Sequence, residues 1–124
     1  MSTNGFKDLT VYKKSFDLAM KIFHVSKSFP KEEKYSLTGQ VRKSSRSVST
    51  SIAEAYRKRI YPAHFVSKST DADMENSETQ VWLDFAFACQ YIDEQTKNDL
   101  ESQSLEIGNM LNHMINNPGK YGAN

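Results

Sequence analysis

Residues Gln40 to Arg59, QVRKSSRSVSTSIAEAYRKR, decide how this chain is read. By composition the stretch looks like a serine-rich basic linker, with Arg42, Lys43, Arg46, Arg57, Lys58 and Arg59 opposed by Glu54 alone. Its phase says otherwise. Leu37, Val41, Ser44, Val48, Ser51 or Ile52, and Ala55 return at a spacing close to 3.5 residues, the stripe of an amphipathic helix. Serine is a mediocre helix former because its hydroxyl competes for backbone groups, yet its small volume lets a neighbouring helix approach closely. Ser44, Ser47, Ser51, Ala53 and Ala55 therefore read as a close-packing face on a helix over about 36–59.

Three further helices follow from the flanking sequence. Leu9, Tyr12, Phe16, Ala19 and Phe23 step by three and four residues, which predicts a helix over about 9–28 with Asp8 or Thr10 as its cap. Phe29-Pro30 breaks that pattern, because proline disfavours a helical residue before it and lacks a backbone donor. Pro62, suited to a first helical turn, opens a segment read as helical over about 63–92, with a dense apolar end from Val81 to Cys89. Thr96 followed by Asp99 suggests a capping box for a helix over about 97–116, in which Leu100, Ser104, Ile107, Leu111 and Met114 share a face. Asn117-Pro118-Gly119 ends it, leaving a tail over 118–124. No alternating strand pattern appears. The expectation is an all-α, up-down antiparallel four-helix bundle forming a single domain over 1–124.

A chain of 124 residues, 38% hydrophobic and 25% charged, suits one globular core. Its net charge is only +1, so the basic stretch is balanced by an acidic remainder. A single cysteine, Cys89, rules out an internal disulfide and multi-cysteine metal sites; it reads as a small buried hydrophobe. The Met-Ser-Thr-Asn-Gly start has no apolar signal core and no run nears the ~20 apolar residues of a membrane span, which predicts a cytoplasmic protein.

Catalytic chemistry finds no constellation. The carboxylate-bridged di-metal centres of helical bundles need Glu-x-x-His, and Lys21, Tyr61 and Met110 stand three residues before His24, His64 and His113. No phosphate-binding glycine loop or nucleophile elbow occurs. The expectation is a protein that is not an enzyme, with no cofactor and no metal.

Charge is more informative. Asp71, Glu75 and Glu78 lie on one face of the third helix. If the second and third helices form a hairpin turning near Ile60 and Tyr61, Arg46 comes level with Glu75, Arg42 with Thr79 beside Glu78, and Glu54 with Lys68. Arg42 and Arg46 are thus candidates for structural ion pairs with Asp71, Glu75 and Glu78. Arg57, Lys58 and Arg59 sit where such acidic partners have run out and where the C-terminal helix dipole favours cations. With Lys43 and Lys68 they form the candidate nucleic-acid surface, to which Tyr56 and Tyr61 add base-stacking rings.

The third helix also argues for self-association. Phe85 and Phe87 diverge by about 200° around a helix, so Trp82, Phe85 and Phe87 cannot share one interior. They are the candidate oligomer interface.

Several of these phrases resemble a known family. Phe29-Pro30-x-Glu32-Glu33-x-Tyr35-x-Leu37-x-x-Gln40-x-Arg42-Lys43, Ser47-Val48-x-x-Ser51-Ile52-Ala53-Glu54-Ala55 and Glu78-Thr79-x-x-Trp82-Leu83 are similar to the proteins encoded by intervening sequences in bacterial 23S rRNA genes, as is the opening Phe6-Lys7-Asp8-Leu9-x-Val11-Tyr12. Ser51 and Ala55 stand where that family usually has Asn and Gly. The resemblance implies a left-handed bundle assembled as a homopentamer, and relatives among the accessory proteins of diversity-generating retroelements that bind a reverse transcriptase and nucleic acid. The function expected is a noncatalytic homo-oligomer binding RNA or DNA through a repeated basic surface. The alternative is a scaffold or accessory subunit gripping an acidic protein partner without nucleic acid.

Overall fold

The structure is a computed structural model that describes residues 5–124. Residues 1–4, part of the opening read above for a signal core, lie outside them. Four α-helices are joined by short connections: α1 Thr10–Ser26, α2 Leu37–Arg57, α3 Pro62–Ala88 and α4 Glu94–Asn116. Single 3-10 turns precede α1 at Gly5–Asp8, precede α2 at Lys31–Glu33 and follow α4 at Pro118–Tyr121. Among the described residues there is no strand. The helices pack in a ring, α1 on α2, α2 on α3, α3 on α4 and α4 back on α1, with the α2–α3 seam the most extensive. This is the all-α bundle that the periodicity predicts.

Part of the expected serine face makes that seam: Ser44, Ser51 and Ala55 are buried, whereas Ser47 and Ala53, expected with them, are only half-buried. Ser44, Ser45, Ser49, Ser51, Ile52 and Ala55 of α2 are buried, and the facing line on α3 is Phe65, Ser69, Ala72, Asn76, Thr79, Leu83 and Ala86. Small side chains on both helices let the backbones approach, and the buried hydroxyls find one another. Ser44 and Thr79 Oγ atoms are 2.8 Å apart across the seam, as are Ser15 of α1 and Ser49 of α2. Asn76 closes the belt on the α4 side, donating to the Ser104 carbonyl and accepting from the Ser104 hydroxyl, both at 2.9 Å. Buried polar groups without partners are costly, so this belt constrains both the choice and the register of neighbours. Aliphatic layers lie around it: Val41, Val48, Ile52 and Leu83 from the central seam, Leu18 and Ile22 from α1, and Leu100, Ile107, Leu111 and Met114 from α4.

Five local expectations change. In α1 the buried line is Val11, Ser15, Leu18, Ala19 and Ile22, while Phe16 is 50% exposed. Leu9 and Tyr12 of the expected stripe pack on the core and Ala19 is buried in it, so the difference lies in Phe16, which the aliphatic Val11, Leu18 and Ile22 replace at the interior. The α1 capping position is Leu9, with no side-chain cap, in place of Asp8 or Thr10. At the far end, α3 stops at Ala88 instead of continuing to Ile92. Gln90 adopts a left-handed φ of 64°, and Tyr91 N and Gln90 N donate to Ala86 O and Phe87 O, each at 2.9 Å. This six-to-one closure folds Tyr91 and Ile92 back over Leu37 and Ala86. It leaves Cys89 exposed, contrary to the reading of a buried thiol. Finally, α4 begins earlier than expected: Asp93 is its cap, accepting from Thr96 N at 2.7 Å, and Asp99 accepts from Gln103 instead of reaching back to Thr96.

Candidate nucleic-acid interface

Antiparallel order gives the bundle two poles with different charge. One gathers the N-termini of α1 and α3, the C-termini of α2 and α4, and the two flanking 3-10 turns. The turn at Gly5–Asp8 packs on α2 beside the Tyr56 ring, and the turn at Pro118–Tyr121 lays Tyr121 on Phe65, ring centroids 6.1 Å apart. Over residues 5–13, 54–68 and 113–124, which build this pole, seven Lys and Arg residues face two carboxylates, Asp8 and Glu54. Residues 21–37 and 84–101 build the other pole, and there five cations face seven carboxylates.

Helix ends follow the same division. At the acidic pole the α4 N-terminus is covered by the Asp93 carboxylate with Glu94 in its first turn, and Leu37 N of α2 donates to Glu33 Oε1 at 3.4 Å. At the basic pole neither α1 nor α3 has an acidic residue in its first turn or a side-chain cap. The partial positive charge of these two termini is opposed by the C-termini of α2 and α4 at the same pole, so the excess of positive charge there comes from the side chains.

The residues picked from sequence are not all brought together. Arg57 and Lys58 end α2 exposed, and among the described residues neither makes an ion pair. Arg59 is turned inward: its guanidinium lies 3.6 Å from the centroid of the Tyr56 ring, and its Nε donates to Tyr56 O at 2.9 Å. Tyr56 is thereby covered, while Tyr61 in the α2–α3 connection is 57% exposed. Lys68 bridges Glu54 and Asp71 at 3.6 Å each. Lys43 is fourteen residues up α2 from Arg57, about 21 Å along the axis, so it does not join the cluster. It lies instead by Glu75, whose pKa is raised first by burial and then by Glu78, with Lys43 acting against both.

The ion pairs expected for Arg42 and Arg46 are not formed. Glu54 and Lys68 do come level, which fixes the hairpin register, but the two arginines project sideways onto α1. Arg42 Nε donates to Ser26 Oγ at 2.8 Å and Nη2 to Phe23 O at 3.4 Å, so it caps the C-terminal end of α1. Its guanidinium and that of Arg46 lie 4.9 and 5.6 Å from the Phe23 ring centroid. Asp71 therefore takes Lys68 as partner, and no ion pair among the described residues reaches Glu75 or Glu78. Lys7 and Lys120 join the basic pole from the two ends of the described chain, which no local sequence signal reveals.

The proposed interface residues also divide. Phe85 is 53% exposed on an α3 face shared with Val81 and Met74, beside an open groove of about 600 Å³ lined by Tyr35, Gln40 and Trp82. Trp82 is half-buried and packs against the core. Phe87 points elsewhere, its ring centroid 6.0 Å from Lys97 Nζ. Among the described residues no group of three or more His, Cys, Asp or Glu side chains is placed to hold a metal ion. No described helix is long and apolar enough to cross a membrane.

Four helices in a ring, a hydroxyl belt at their centre and a basic pole define an all-α bundle. The chain belongs to the 23S rRNA-intervening sequence protein family, whose model matches residues 7–113. A crystal structure from Bacteroides thetaiotaomicron, a protein of unknown function from the S23 ribosomal protein family, is similar at 28% identity and a TM-score of 0.77, covering 86% of this chain and 95% of that one. No curated protein sequence matches.

Proposed function

We propose that this chain is a noncatalytic, homo-oligomeric bundle of the cytoplasm that binds RNA or DNA through its basic pole, repeated around the assembly. The observation that carries the reading is the pair Arg57 and Lys58, exposed at the end of α2 without ion pairs among the described residues, on a pole where cations outnumber carboxylates. Each phosphate neutralised releases counterions, and one subunit offers too few contacts to hold a strand at physiological salt. Repetition supplies the rest. The exposed α3 face of Met74, Val81 and Phe85 is the surface suited to a second copy, since apolar side chains a helical turn or two apart gain most by mutual burial.

Light scattering and mobility shift test this together. The native mass is expected to exceed one subunit and to fall in Phe85→Glu with helical content unchanged. Retardation of RNA or DNA is expected at low salt and is expected to weaken steeply as salt rises. A tight oligomer with no retardation at low salt, and with a protein partner retained after nuclease treatment, would favour a scaffold for an acidic protein.

A further inference from the structure

We infer that the basic pole takes its nucleic acid as a single strand, with one base stacked on Tyr61 and the adjoining phosphates held by Arg57 and Lys58. This rests on the binding reading above and specifies its ligand. Cations alone serve duplex and single strand alike, because both present phosphates. The distinguishing feature is an open aromatic face beside them: a base inside a duplex is already stacked, whereas an unpaired base gains about 1 to 3 kcal/mol on a protein ring.

Tyr61 has such a face, presented from a fixed backbone. Pro62 restricts it to an extended conformation, observed at φ −120° and ψ 90°. Its amide donates to Lys58 O at 2.9 Å, and its carbonyl accepts from the amides of His64 and Phe65 at 2.9 and 3.0 Å. The ring is supported by the His64 imidazole, centroid to centroid 5.4 Å, and remains more than half exposed. Ile60 beside it is 76% exposed, an apolar neighbour that the edge of a base can cover. Arg57 and Lys58 precede Tyr61 by one helical turn. Tyr56 lacks these properties, since Arg59 occupies its face and Gly5 lies against its edge.

Fluorescence anisotropy with labelled single-stranded DNA, single-stranded RNA and a blunt DNA duplex of equal length tests this on the intact protein. The unmodified protein is expected to bind one or both single strands about tenfold tighter than the duplex, a comparison that needs no variant. Tyr61→Ala is expected to remove most of that preference and Tyr61→Phe to keep it. Replacing Arg57 and Lys58 by Gln is expected to weaken single strand and duplex together and to lower the salt slope on single strands by about 1.4. Equal affinity for duplex and single strand, or an unchanged preference in Tyr61→Ala, would overturn the stacking assignment while leaving phosphate binding intact. Absence of binding to all three at low salt would overturn both.

Discussion

The hydroxyl of Ser44 on α2 lies 2.8 Å from that of Thr79 on α3, and each hydroxyl also has a backbone acceptor in its own helix, Val41 O at 3.4 Å for Ser44 and Glu75 O at 2.9 Å for Thr79. The shorter backbone bond belongs to Thr79, which favours Ser44 as the donor across the seam. Both residues are essentially fully buried. Ser44→Ala removes the donor and leaves a buried acceptor without its partner, an expected loss of about 1 kcal/mol. Ser44→Leu forces a large side chain into the fully buried α2–α3 seam and should cost about 3 kcal/mol. Urea unfolding followed by far-ultraviolet circular dichroism checks the order of the two.

Arg42 joins α2 to the end of α1 by two donors and a ring contact. A lysine keeps the charge but loses the planar fork that reaches Ser26 and Phe23 O together. Arg42→Lys is therefore expected to destabilise by about 1 kcal/mol, whereas Arg46→Lys, which has only the ring contact, should fall within about 0.5 kcal/mol of the parent. Equal effects in the same unfolding assay would show that charge alone matters at both positions.

Gln90 holds a left-handed conformation that glycine adopts without steric penalty. Gln90→Gly is expected to stabilise the protein by about 0.5 to 1 kcal/mol, partly offset by the greater freedom of glycine in the unfolded chain. Calorimetry should show the melting temperature rising by a few degrees.

Glu33 and Tyr91 tie the turn before α2 to the loop after α3. The carboxylate accepts from Ser36 Oγ at 2.6 Å and from Tyr91 Oη at 2.8 Å, and these bonds hold its pKa below the ordinary 4.5. Because the folded pKa is the lower one, the stabilisation is complete above the ordinary carboxylate range and is lost as pH falls through the depressed value. Tyr91 behaves oppositely: its bond to Glu33 pushes its pKa up from 10.0 to about 12, so its contribution is whole below 10 and disappears as pH rises through about 12. In Tyr91→Phe the phenolate absorbance step near 12 should vanish. In Glu33→Gln the acid limb of the stability profile should flatten and Tyr91 should titrate nearer 10.

Much of the bundle is legible from spacing alone. The α2 stripe from Leu37 to Ala55 and the α4 stripe from Leu100 to Met114 are buried as their periods require. α1 carries two lines, and choosing between Phe16 and the face of Val11, Ser15, Leu18 and Ile22 requires knowing where α2 and α4 lie. The end of α3 is hidden for a related reason: neither glycine nor proline marks it, and the closure depends on Tyr91 and Ile92 finding Leu37 and Ala86. For the candidate site, register along the α2–α3 hairpin is readable, as Glu54 and Lys68 show. The sideways direction is not. Arg42 and Arg46 could be set level with acids on α3, but only the placement of α1 reveals a carbonyl and an aromatic ring on their other side. Lys7 and Lys120 reach the basic pole from opposite ends of the sequence, a proximity that closure of the ring creates.

The unequal sharing of charge between the poles gives an almost neutral molecule, formally +1, a large permanent electric moment along its axis. Such a particle presents itself end-on to a charged plane. On a sulfonated chromatography resin it should therefore be retained at and slightly above the pH of 7.8 at which its titration sum vanishes, where a protein with evenly scattered charge washes through.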